Sequence, residues 1–277
     1  MVQSVFLFPV LFAVQALSQN TTAPASVASL YGLSTSTTLP FPAATQSNSS
    51  TQSFISSKWG LSKGRIQNGG ANLAFVADPF PNAPAPGSSS TSSPSSSNAS
   101  TPVLQVQYPA GSFQDNSVGG AQFYAMWNAS GGAFQSMLLS YEVAFDAGFD
   151  WVKGGKLPGL RGGPDPNNCS GGNQANGTNC FSSRVMWRTD GAGEGESVSP
   201  LCVLRVVPVG ISCSVFCKVY AYVPRVNGIC NDSEVVCNDQ FGISLSRGSF
   251  DFSSGQYASY LLLLMASVDP RSKVESR

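Results

Sequence analysis

Hydrophobic and polar residues alternate with a period of two along most of the second half of the chain. In VLQVQY, Val103, Gln105 and Gln107 project one way and Leu104, Val106 and Tyr108 the other, the pattern of a strand. AQFYAMWN and FQSMLLSYEVAFDAGFDW are strand-like too, rich in aromatic and β-branched residues and broken by glycine. In FSSRVMWR the residues Ser182, Arg184, Met186 and Arg188 share one face, while Ser183, Val185 and Trp187 take the other. VYAYVP sets Tyr220 and Tyr222 together on one face. No convincing amphipathic helix pattern occurs anywhere. Many strands punctuated by Gly, Pro and Asn predict an all-β chain, a jelly-roll β-sandwich of antiparallel strands.

The same pattern divides the chain. Residues 1–18, MVQSVFLFPVLFAVQALS, form an apolar run ending in a small-residue pattern, and read as a cleaved secretory signal although no Lys or Arg precedes the run. The run is short for a membrane anchor, and no membrane association is expected after cleavage. Residues 19–53 are rich in Ser, Thr, Ala and Gln and are expected to be a disordered leader. One domain should then cover 54–277, interrupted by a Pro/Ser loop at 81–102, with mostly loop between Trp151 and Phe181.

Composition narrows the partners. Charged residues make up 11% of the chain and the formal net charge is zero, so no basic excess exists to neutralise nucleic acid phosphates. The chain has no histidine, which excludes Ser-His-Asp and Cys-His catalysis and His-ligated zinc. Any acid or base must be Tyr, Lys, Asp, Glu or Cys. No cofactor or metal is expected, and the protein should be a monomer. Asp146 and Asp150 flank a glycine turn in FDAGFDW, where capping the turn is the expected role.

Secretion accounts for two further features. Glycosylation sequons occur at Asn20, Asn48, Asn98, Asn128, Asn168, Asn176 and Asn231. Seven cysteines are present, an odd number for an oxidising compartment. Cys169 and Cys180 bracket one loop, and Cys230 and Cys237 another. Local pairing within each loop is the simplest of three connectivities for these four; a zinc site is the rival reading, disfavoured by secretion.

Together, a hydroxyl, two guanidiniums and two phenols on adjacent strands would make a cationic, tyrosine-rich groove suited to an acidic polymer. Taken alone, Ser-x-Arg is a weak pattern, paired tyrosines on a strand are commonly half-buried packing residues, and Arg188 could pair with Asp190 or Glu194.

The succession WVKGGKLPGLRGG, CSGG, CFSSRVMWR, VYAYVP and DQFGISLSRGSFDF resembles the fungal branch of polysaccharide lyase family 14, as do WGLSKGRIQNG and NLAFVADPFP nearer the N-terminus. The resemblance implies a β-jelly roll and a secreted lyase acting on alginate or β-glucuronan. It also implies a functional set of Lys156, Ser182, Arg184, Tyr220 and Tyr222, with Lys153 close enough to Lys156 to compete for its place. Lys153 and Arg188 are expected to help bind substrate. The chain departs from the family at residues 195–218, GESVSPLCVLRVVPVGISCSVFCK, which lengthen the interval between Arg184 and Tyr220. That segment carries Cys202, Cys213 and Cys217, so its removal would leave four of the seven cysteines. It reads as the translation of a retained intron, or else as a hydrophobic hairpin insertion. After SGQ the sequence diverges again, and a truncated set of C-terminal strands is expected, with activity impaired.

Overall fold

The computed structural model describes residues 3–8, 23–81, 101–113, 118–127, 134–165, 168–194, 201–207, 210–213, 219–225, 227–245, 247–248 and 250–266. Its strands, in chain order, are β1 Gln3–Phe8, β2 Leu73–Val76, β3 Val103–Tyr108, β4 Ser136–Phe145, β5 Gly155–Gly162, β6 Phe181–Trp187, β7 Ala192–Glu194, β8 Leu201–Val207, β9 Gly210–Cys213, β10 Tyr220–Tyr222, β11 Val235–Val236, β12 Ile243–Leu245, β13 Phe250–Asp251 and β14 Tyr257–Ala266. They form two sheets. The first runs β2-β3-β1-β4-β14-β8-β9, the second β11-β12-β10-β6-β7-β13 with β5 also paired to β6. The expected all-β sandwich is therefore the architecture observed, with every pairing antiparallel except β14 against β8.

Alternation explains where the core lies. In the stretch around β10, Val219, Ala221 and Val223 turn inward and join Leu160, Ile243, Leu245 and Leu262 in one buried cluster. Val185 and Trp187 of β6 turn inward with them and pack in a second cluster, on Tyr141, Val143, Phe145, Phe149, Phe252 and Tyr260. The intervening residues of β6 and β10 are left for the outer face of the second sheet, and that face carries the site.

Several expectations are corrected. The leader is not structureless: Pro24–Leu30 (α1) and Asn48–Lys58 (α2) are helices. The Ser47 side chain caps α2 by accepting from the Ser50 N–H, the N-cap role that favours serine. Thr51 and Ile55, four residues apart, are buried, and Ile55 packs against Trp59, Leu73, Phe75 and Leu104. The otherwise polar composition of α2 hid this narrow apolar stripe. Among its described residues the interval 151–181 is mostly loop, as expected, yet it also contains the eight-residue β5. Its glycines and Pro158 look unlike a strand, yet Pro is tolerated at a bulge, and the register of β5 against β6 shifts between Lys156 and Gly159.

Within 195–218, β8 and β9 form an antiparallel hairpin, and β8 adds to the sheet beside β14. Most of the Pro/Ser loop (82–100), residues 195–200 and Cys217 lie outside the described residues. Gln3–Phe8 is an interior strand, paired with β3 on one side and β4 on the other. Processing after Ser18 would therefore remove a strand from the middle of the first sheet.

Candidate active site

β6 organises the outer face of the second sheet. β5 lies along one edge of it, and β10 followed by β7 along the other. Residues directly opposite in an antiparallel pair share a face. Tyr220 stands opposite Arg184 and Tyr222 opposite Ser182, so the Ser-x-Arg and Tyr-x-Tyr pairs meet. Ser244 of β12 continues the row beyond Tyr220. On the other edge, Lys156 stands opposite Met186 and Arg161 opposite Ser182. Five positions separate Lys156 from Arg161, an odd interval that would put them on opposite faces of a regular strand. The bulge at Pro158 restores both to the groove. Gly159, opposite Arg184, must be glycine: a Cβ there would meet the Ser183 carbonyl oxygen at 2.1 Å and Arg184 Cβ at 2.5 Å.

The contacts are specific. Arg184 Nη2 donates to Ser182 Oγ at 3.0 Å, and Ser182 Oγ donates to the Cys169 carbonyl at 2.7 Å. Ser182 is 1% exposed and its oxygen is engaged on both sides, so it positions Arg184 rather than attacking anything. The phenol oxygens of Tyr220 and Tyr222 lie 3.4 Å apart, their rings edge to face with centroids at 5.7 Å. Tyr220 Oη accepts the Gly242 N–H at 3.0 Å, and Tyr222 Oη accepts the Gly172 N–H at 3.1 Å. Lys156 Nζ and the Arg188 guanidinium both approach the Tyr220 ring, at 5.7 and 5.8 Å from its centroid. Arg188 Nη2 also donates to Ser244 Oγ at 3.3 Å, and Arg247 Nη2 to the same oxygen at 2.9 Å. The Arg188 side chain thus reaches into the groove.

The Cys169–Cys180 and Cys230–Cys237 disulfides are both formed. The first closes the loop that brings the Cys169 carbonyl to Ser182 and the Gly172 N–H to Tyr222. Cys169 itself sits at φ 56°, a left-handed conformation uncommon for a residue with a Cβ.

The Gly242 N–H and the Arg184 guanidinium favour the tyrosinate form of Tyr220. For Tyr220 the balance goes the other way: burial first, then its hydrogen bond and charge interaction with Tyr222, push its phenol well above the ordinary value, outweighing the Gly242 N–H and Arg184. The Arg184 guanidinium is drawn below its ordinary value, by burial and then by repulsion from Arg161, with Tyr124, Tyr220 and Tyr222 acting against them. It stays charged, since arginine begins from above about 12.

Lys153 falls outside the cluster. It is exposed in the turn before β5, and its contribution is a backbone carbonyl that accepts Trp187 Nε1–H at 3.1 Å. The sequence reading overlooked Arg161, Tyr124, Ser244 and Arg247. Ser244 was recoverable, because ISL alternates; Arg161 was not, because only the bulge turns it inward. Of the sequons, Asn20, Asn98 and Asn128 lie outside the described residues, while Asn48, Asn176 and Asn231 are exposed. Asn168 is half-buried beside the groove, its carbonyl accepting from Arg161 Nη2. Asp146 and Asp150 bound the expected turn, in which the Phe149 N–H reaches the Asp146 carbonyl at 3.0 Å.

The family model for polysaccharide lyase 14 matches residues 96–199 and 216–266, more than half of the chain and all of the groove strands. The chain belongs to polysaccharide lyase family 14. The match leaves out 200–215, which lie inside the segment read as an insertion. Among solved structures the chain is similar to the marine PL-14 alginate lyase from Aplysia kurodai, at 31% identity and a TM-score of 0.43, over 57% of this chain. It spans about half (53%) of that enzyme's length. No curated protein matches the chain.

Proposed function

We propose that this family 14 member is a lyase that cleaves an anionic polyuronate, alginate or β-glucuronan, by β-elimination. The observation that carries the reading is the meeting of Arg184, Lys156, Tyr220 and Tyr222 on one face of three adjacent strands. In this reaction a base removes the C5 proton, the C5–H electrons form the C4–C5 double bond, and O4 leaves with a proton from an acid. The C5 proton becomes labile only when the neighbouring carboxylate is neutralised, and Arg184, aimed by Ser182, is suited to that as a planar fork. Lys156 adds a second positive charge from the open side.

The two phenols then divide the work. Tyr220, held in its neutral form by burial and by Tyr222, suits the acid that protonates O4. Tyr222 takes the C5 proton as the base, its oxygen receiving the Gly172 N–H and lying beside the Tyr220 hydroxyl.

A second reading, a binding domain without turnover, is favoured by one observation: Tyr222 is 2% exposed, with its hydroxyl under the Cys169–Cys180 loop. The two are separated by incubating the full chain with alginate and with β-glucuronan and following the ultraviolet absorbance of the unsaturated uronate end. Growth of that absorbance supports the lyase. Retention on immobilised polymer with no absorbance would leave the binding domain.

A further inference from the structure

One cation of the groove has no part in the elimination just described. Arg161 projects from β5 beside Ser182, turned to the groove by the bulge at Pro158. Its guanidinium lies on the Tyr124 ring, 4.4 Å from the centroid, and its Nη2 donates to the Asn168 carbonyl. These two contacts fix the plane of the group. They leave Nε and Nη1 buried and without a hydrogen-bond partner among the described residues.

That arrangement is costly unless something completes it. A buried donor left unanswered loses its hydration for nothing, and a desolvated cation next to a second one is worse. Arg184 is that second cation, diagonally across the β5–β6 ladder, and no carboxylate of the described residues forms an ion pair with either guanidinium. A protein that needed Arg161 only for packing could cover Tyr124 with an apolar side chain. The missing partner is an acceptor of negative charge that arrives from outside, lying next to whatever occupies Arg184.

We propose that Arg161 binds the carboxylate of a second uronate, adjacent in the polymer to the one whose carboxylate rests on Arg184, so that the groove selects runs of neighbouring charged sugars. This rests on the polyuronate reading above and extends it. Arg184 meets the sugar that reacts, and Arg161 the neighbour that holds it in register. Arg161 therefore contributes binding that is equal in the ground and transition states, which appears in KM and not in kcat.

The test is made on the full chain with Arg161→Gln and Arg161→Lys. Binding of a purified oligouronate and of the same oligomer with its carboxyl groups reduced to alcohols is measured by titration calorimetry, alongside lyase kinetics and the melting temperature. Loss of one charge-assisted contact should weaken oligouronate binding on the order of tenfold in Arg161→Gln, with partial recovery in Arg161→Lys. The reduced oligomer should bind wild type and variant alike, and kcat should stay within about threefold. Equal loss for the charged and reduced oligomers, or a fall in kcat matching that in kcat/KM, would overturn the proposal and leave Arg161 a packing residue. Unchanged oligouronate affinity would overturn it as well. Absence of unsaturated product from wild type would reject the lyase reading alone, because the calorimetric comparison still decides Arg161; a wild type that bound no uronate at all would end both.

Discussion

Each groove residue has a separable role, so conservative substitutions give distinct outcomes. Tyr222→Phe keeps a ring 2% exposed and well packed but removes the oxygen that meets Gly172 and Tyr220. If it is the base, kcat falls by about 10² to 10⁴ with little change in KM, the range of general acid–base catalysis. Tyr220→Phe should cost a similar factor, and its loss should be smaller on a substrate whose leaving group needs no proton. Near-wild-type turnover in both variants would remove the tyrosines from the mechanism. Arg184→Lys also lowers kcat, since an ammonium cannot reproduce the fork that Ser182 orients. Ser182→Ala should cost less than either, because it loosens Arg184 without removing its charge.

At the scale of elements, the loop closed by Cys169–Cys180 connects stability to the site. It delivers a carbonyl to Ser182 and an N–H to Tyr222, and holds Cys169 in its left-handed conformation. Replacing both cysteines by serine should cost roughly 2–3 kcal/mol of stability, as loops of this length do, and lower kcat in addition. Opening Cys230–Cys237 should leave kcat alone. Denaturant midpoints and product absorbance measured on both double variants check this; equal kinetic effects would mean that the first loop has no special tie to the tyrosines. β1 supports a second expectation. A chain begun at residue 19 lacks the strand between β3 and β4 and leaves two unpaired edges facing each other. It should melt lower than the full chain and aggregate more readily, and an added peptide of Gln3–Phe8 should restore part of the loss. Equal melting temperatures would show that the slot closes unaided. Elements were legible in the sequence where alternation was clean: β3, β4, β6 and β10 declare which residues face the core, and so the meeting of Ser182, Arg184, Tyr220 and Tyr222 was visible. Their strand order was not, since pairing depends on long-range contacts that no local pattern encodes. β5 was hidden by Pro158 and its glycines, and with it went Arg161. The stripe of α2 was hidden because Thr51 supplies half of it, donating to no apolar count while its hydroxyl oxygen accepts the Phe75 N–H at 3.0 Å.

Across the whole molecule, the interior contains phenols in place of histidines or paired carboxylates, and this sets how the fold responds to pH. Tyr141 and Tyr260 stack in the core with ring centroids 5.7 Å apart, at 5% and 6% exposure. Burial pushes both phenols well above the ordinary value, with the charge of Tyr260 adding to the effect on Tyr141. Tyr257, which donates to Asp78 Oδ1 at 2.8 Å, is raised in the same direction by burial and then by that hydrogen bond. Below a pH of about 10 these groups are protonated in both the folded and unfolded chain and stability does not depend on them. Above it the unfolded chain releases protons that the folded chain keeps, so stability falls as pH rises. Each such proton steepens the fall by about 1.4 kcal/mol per pH unit. Tyr141 and Tyr260 together contribute about 3 kcal/mol per unit, enough to exhaust a typical stability of about 5–15 kcal/mol within a few units. The melting temperature should therefore stay flat up to about pH 10 and then drop steeply, with phenolate absorbance and loss of the β-sheet circular dichroism signal rising together as one cooperative transition. Tyr260→Phe should move that transition to higher pH, because one proton-linked group is removed and the ring remains. Smooth ionisation of all eight tyrosines near the ordinary value, with the β-sheet signal intact, would show that the phenols are not buried as the structure has them.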